Sequence, residues 1–122
     1  MNKGRKATGG KYHKLRKKKF YEKQSQERIV TLKKTKRKTL RVKGGNKKTI
    51  LLNADTANVL DTETKKTQKA EIKNVLETPH NVFHARQNRL TKGTIIETSL
   101  GKAKITNRPS QEGQVNAILV KE

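Results

Sequence analysis

Apolar residues recur along this chain in short, regularly spaced groups, and most of them fall after residue 28. Ile29, Val30 and Leu32 make the first group and predict a short strand. From Lys38 to Lys43 the pattern alternates, with Leu40 and Val42 on one side and Thr39, Arg41 and Lys43 on the other. That is the period of a half-buried strand with a cationic outer face. Gly44-Gly45-Asn46 predicts a turn, after which Lys48 to Ala54 returns through Ile50, Leu51 and Leu52. Asp55 to Asp61 reads as a turn or short irregular connection in which Val59 and Leu60 begin another strand, and Glu63 to Thr67 as a polar turn. Lys69 to Glu77 is expected as a strand rather than a helix, because Ile72 and Val75 favour it; Thr78-Pro79 stops it. Asn81 to Leu90 carries no clear period and is expected as an extended loop with some turn character. Thr94 to Thr98, Lys102 to Thr106 and Gln114 to Val120 are three further strands, with Ala103 and Ile105 facing inward. Ser99-Leu100-Gly101 connects the first two tightly, Asn107 to Ser110 breaks the chain, and Gly113 allows re-entry. Short strands about 8–12 residues apart predict a mainly β fold, a sandwich or small barrel. A closed barrel would also remove sheet edges from a chain with little core to spare.

Residues 1–26 show neither period. Gly4, Gly9 and Gly10 interrupt any helix, and Lys14 to Lys19 could form a turn or two only with its charge neutralised. The expected organisation is therefore a basic, extended N-terminal arm, 1–26, and a β-barrel-like body, 27–122. Charge sharpens this division. The 122 residues carry 31 Lys and Arg against 10 acids, a net +21. Residues 1–48 hold 20 of the cations and two of the acids, +18; residues 49–122 hold 11 and eight, +3. Charge packed that densely repels itself and calls for a polyanion. Nucleic acid fits first. A membrane surface fits poorly, because the arm offers only Tyr12, Leu15, Phe20 and Tyr21 where a surface-lying helix needs an apolar stripe. The longest apolar run, Ala117 to Val120, is too short for a membrane span or a signal-peptide core. The absence of Cys removes disulfides and thiolate chemistry, so an intracellular, cytoplasmic protein is expected. Like charge on every copy argues for a monomer.

The chemistry on offer is mostly cationic. Glycines among cations let backbone N–H groups approach a phosphate closely, and aromatics among cations suit unpaired bases. Tyr12 is a candidate for base or sugar contact, whereas Phe20 and Tyr21 are expected to anchor the arm onto the body. The hairpin tip, Lys43 to Lys48, sets three lysines around two glycines as a phosphate clamp, without the spacing of a nucleotide-binding loop. His80 and His84 would share one helical face, yet a zinc site needs three or four ligands, and no spacing supports a His–carboxylate nuclease pair. No metal, cofactor, small-molecule substrate or enzymatic activity is expected. Lys65, Lys66, Lys69 and Lys73 alternate with acids and read as an ordinary solvated face.

Three segments in order carry a resemblance: Thr8-Gly9-Gly10-Lys11, then Lys17 to Glu22, then Arg41-Val42-Lys43-Gly44-Gly45-Asn46-Lys47-Lys48. Together they resemble protein eight of the small ribosomal subunit, in the type shared by archaea and eukaryotes. The hairpin motif is the most specific, and the similarity continues through Asn88 to Glu97 and Leu100 to Leu119. The length matches the short, archaeal form. The resemblance implies a β-barrel-like body with a basic extension threading RNA, a structural component of the ribosome with small-subunit ribosomal RNA and neighbouring ribosomal proteins as partners. Combined with the charge pattern, it predicts RNA contacts at Lys3, Arg5, Lys6, Lys11, His13, Lys14, Arg16, Lys17, Lys18 and Lys19, with Gly9 and Gly10 permitting close approach and Tyr12 beside them. Arg37, Lys38, Arg41, Lys43, Lys47 and Lys48 extend that surface along the hairpin. Arg86, Arg89, Lys92 and Arg108 are second-rank candidates on loops. A general architectural nucleic-acid binder and an RNA-processing enzyme are the competing readings.

Overall fold

A computed structural model describes residues 4–13, 15–24 and 27–120. Its strands are β1 (Thr31–Leu32), β2 (Lys36–Arg41), β3 (Lys47–Ala54), β4 (Thr56–Leu60), β5 (Thr67–Glu77), β6 (Ile95–Thr98), β7 (Gly101–Ile105) and β8 (Asn116–Leu119). Among the described residues one short α-helix, α1 (Val82–Arg86), lies between β5 and β6. Strands β4 to β8 close into a barrel, sealed by parallel pairing of β4 with β8. The remaining strands form a three-stranded sheet in the order β1-β3-β2.

The barrel is narrow, and its sequence is fitted to that. Ala57, Ala70, Ala103 and Ala117, one from each of four strands, are all essentially buried. Ala103 pairs with Ile96 and Ala117 with Ile105, small against large, whereas Ala57 and Ala70 pair with each other. Five strands leave too little interior for bulky side chains at every inward position. β5 is long enough to serve two neighbours, pairing with β4 over Thr67 to Glu71 and with β6 from Ile72 onward. Register shifts after Ile72 and Val75 mark where it bends.

Sheet and barrel share one core, because Val30, Leu51 and Ala54 pack in the same cluster as the barrel residues. The join is sharper than the sequence suggests. Instead of a turn from Asp55 to Asp61, a bend at Asp55 alone carries the chain from β3 into β4. Thr35 donates its hydroxyl to the Asp55 carboxylate, which holds that carboxyl below its ordinary range. The Asp55 carbonyl accepts from the Ile72 amide at 2.8 Å, tying the corner to β5. A second tie is the loop before β8. Pro109 is buried, its carbonyl accepts from the Leu51 amide at 3.2 Å, and a Cβ on Gly113 would lie 3.0 Å from Thr49 Cγ2. A side chain at that position would have to push Thr49 aside for the loop to lie against β3.

Four further expectations are corrected. The stretch expected as a loop after Asn81 contains α1, started by the Asn81 carboxamide oxygen accepting from the Phe83 amide at 3.0 Å. The first strand is Thr31–Leu32 rather than one beginning at Ile29, and the last is Asn116–Leu119, shorter than Gln114 to Val120. Val42 does not face inward with Leu40: it is exposed, Leu40 is only half-buried, and the hairpin end stands clear of the core.

Candidate nucleic-acid interface

The β2–β3 hairpin is built from local rules. Gly44 and Gly45 take φ of +72° and +76°, a left-handed backbone that side chains resist, and the Val42 amide donates to the Asn46 carbonyl at 2.8 Å. This tight tip fixes the register, which sets Arg41 directly opposite Lys47 and Leu40 opposite Lys48. Partners in an antiparallel pair project to the same side, so Arg41 and Lys47 form a like-charged pair, a destabilising arrangement in isolation. Residues 36–48 contain seven Lys and Arg and no acid. β2 is also an open sheet edge, where cations discourage pairing with another chain. The barrel follows the opposite rule: Glu97 sits across from Lys102.

Residues 4–24 hold two self-contained turns. In the first, Arg5 bridges to Lys11, the Lys6 amide donates to the Gly10 carbonyl at 2.9 Å, and Arg5 Nη1 donates to the Gly9 carbonyl at 3.0 Å. Gly9 has φ +81° there, and Lys6 Nζ lies 5.7 Å from the centre of the Tyr12 ring. The second is a 3-10 turn, Phe20–Glu22. Glu22 grips Arg16 through two bonds, 2.8 and 3.0 Å, and accepts the Lys19 amide at 2.9 Å. Those bonds, Arg16 foremost, hold the Glu22 carboxyl below its ordinary range. Phe20 and Tyr21 were expected to anchor this segment on the body; they are instead 93% and 76% exposed. Arg5, Lys6, Lys11, His13, Arg16, Lys17, Lys18 and Lys19 are all exposed as well. Lys3 and Lys14 lie outside the described residues.

The four loop cations divide. Residues 30–32 pair on their other side with 88–90, the Leu32 amide donating to Asn88 and the Leu90 amide to Val30, both at 2.9 Å. That pairing brings Arg28, Lys92 and Arg108 around one open cleft of about 450 Å³, floored by Leu90 and Pro109 and also edged by Glu27 and His80. Arg86 is exposed on α1. Arg89 is half-buried and turned toward His84 Nε2, at 3.2 Å. A guanidinium can only donate, so His84 Nε2 accepts and its Nδ1 proton points to His80 Nε2, 3.2 Å away. Among the described residues no group of three or more His, Asp or Glu could hold a metal ion. Sequence reasoning missed Arg28 as a member of the cleft, since its place depends on a pairing with residues 60 positions later.

A small closed β-barrel carrying an exposed, uncompensated cationic hairpin and basic N-terminal turns defines a small basic β-barrel protein. The sequence places it further. The chain belongs to the ribosomal protein S8e family, whose pattern matches residues 1–120. It is 50% identical over 120 residues to small ribosomal subunit protein eS8 of Methanococcus aeolicus, covering 97% of this chain and 93% of that relative. The eS8 proteins of Methanocorpusculum labreanum and Sulfolobus acidocaldarius are 47% and 46% identical over 116 and 123 residues. They cover 95% and 99% of this chain and 93% and 95% of their own lengths.

Proposed function

We propose that this protein is a structural constituent of the small ribosomal subunit, acting in translation on cytoplasmic ribosomes by binding and stabilising folded ribosomal RNA. One observation carries the reading: a β-hairpin whose register sets Arg41 against Lys47, with seven cations and no acid in residues 36–48. Such a hairpin is electrostatically incomplete alone, and phosphates supply what it lacks through neutralisation and counterion release. Residues 1–26 serve as a basic arm continuing that surface, with Gly9 and Gly10 admitting a phosphate to the backbone. The cleft between Arg28, Lys92 and Arg108 takes a further phosphate, and Arg86 adds to the rim. Phosphate placement and the shape of the folded RNA dominate over base-edge reading, because the A-form major groove is too narrow for side chains. Neighbouring ribosomal proteins complete its surroundings, and its role is architectural rather than enzymatic.

Competition between folded small-subunit ribosomal RNA and duplex DNA at matched salt tests this. The RNA should win, with log K falling linearly against log salt. Equal affinity for duplex DNA would favour a general architectural binder and overturn the ribosomal reading.

A further inference from the structure

The 3-10 turn at Phe20–Glu22 has an unusual construction. A turn carrying two adjacent aromatics normally forms to bury them. Here the rings contribute nothing to closure: Arg16, Glu22 and the Lys19 amide close the turn through three charge-assisted hydrogen bonds of 2.8 to 3.0 Å. Two backbone bonds tighten it, Glu22 amide to Lys19 carbonyl and Lys23 amide to Phe20 carbonyl. Glu22 is the one acid of residues 1–26, and the turn uses it internally. The result is a scaffold of polar contacts that holds Phe20 at 93% exposure and Tyr21 at 76%. One face of Tyr21 is attended by Lys19 Nζ, 5.9 Å from the ring centre. Lys17, Lys18, Lys19 and Lys23 flank the pair in sequence, and none of them has a carboxylate within ion-pair distance among the described residues.

We propose that Phe20 and Tyr21 are a preformed stacking platform for unpaired bases of the folded RNA, with the flanking lysines on the adjoining phosphates. The proposal rests on the RNA-binding reading above and adds two contact residues of a different kind. Charge selects the occupant: a hydrophobic pocket on a protein would leave four lysines at its rim uncompensated, whereas a nucleotide strand offers π-faces and phosphates at the same spacing. Fixing the rings before binding lowers the ordering cost when a base arrives.

The full chain contains no Trp, so Phe20→Trp is a unique reporter at this position. With in-vitro folded small-subunit ribosomal RNA as probe, Phe20→Ala and Tyr21→Ala should each weaken binding roughly 5- to 150-fold, the range of one lost base–aromatic stack. The slope of log K against log salt should not change, because no phosphate contact is lost. Phe20→Trp should retain affinity, and its fluorescence should be quenched as RNA is added. Glu22→Gln raises the net charge by one yet should weaken binding, since it unlocks the turn. Alanine variants within twofold of the parent, or an indole unperturbed by RNA, would overturn the platform, including in favour of a protein pocket. Failure of the parent chain to bind this RNA in a salt-dependent way would instead sink the RNA reading itself.

Discussion

Replacing Arg41 with threonine should make the free protein more stable and the RNA complex weaker. The hairpin register sets Arg41 against Lys47 beside the turn, at the tip. Their Cβ atoms are then about 5 Å apart, and their charged heads, free to splay, about 8 Å. At that separation in water the repulsion is about 0.5 kcal/mol, within the roughly 0.2–1 kcal/mol range of cross-strand pair effects. Threonine suits a strand and continues the same face as the neighbouring pair Thr39–Thr49. Relief of about 0.5 kcal/mol corresponds to a rise in Tm of about 2–4 °C for a body of this size. Because both side chains are solvent-facing, the gain should fade in 1 M salt, where the Debye length is about 3 Å. Binding should move the other way, the slope of log K against log salt shrinking by about one for the lost phosphate contact. Thermal denaturation at low and high salt, with RNA titrations across the same series, reads both quantities. A variant that is destabilised at low salt, or that keeps the parental slope, would refute the claim that this pair is held against its own repulsion for a phosphate.

Two other substitutions probe the barrel. Ala103→Leu forces a larger side chain into a fully buried position opposite Ile96, and should cost about 1–3 kcal/mol, seen as a lowered urea midpoint with an unchanged m-value. Thr78→Val should be neutral or raise stability by up to about 1 kcal/mol, because Thr78 Oγ1 is buried with no hydrogen-bond partner among the described residues; a fall in Tm would mean that the hydroxyl is satisfied in solution.

What could be read from the sequence follows the range of the interactions involved. The hairpin turn was legible because Gly44-Gly45-Asn46 acts locally, and β7 because Ala103 and Ile105 alternate with lysines on a short strand. Charge partition needed only counting. The β3–β4 corner was not legible: Asp55 looks like a turn former, and its partner Thr35 lies twenty residues away across the sheet. Nor was α1, since five residues are too few to show a helical period, and Val82 and Phe83 are exposed rather than packed. The expectation for Phe20 and Tyr21 failed for a related reason. Apolar residues are ordinarily taken to seek burial, and only the Arg16–Glu22 closure reveals a turn that holds them outward.

Among the described residues the buried polar side chains are three threonines, Thr78, Thr94 and Thr98, and the core contains no charged group. Stability of the barrel is therefore insulated from the cations that dominate the composition. β3 is the exception. Ile50, Leu51 and Ala54 are buried in that strand while Lys47 at its start is exposed and Lys48 half-buried, and the strand continues through Asp55 into the barrel wall. A load placed on the hairpin end is thus carried into the core along one covalent, hydrogen-bonded element rather than through a flexible joint. The strand is braced from the far loop, where the Pro109 carbonyl accepts from the Leu51 amide and Gly113 lies against Thr49. Such an arrangement lets the like-charged pair persist at the tip without unravelling the fold, and it fixes the backbone positions of Arg41, Lys43, Lys47 and Lys48.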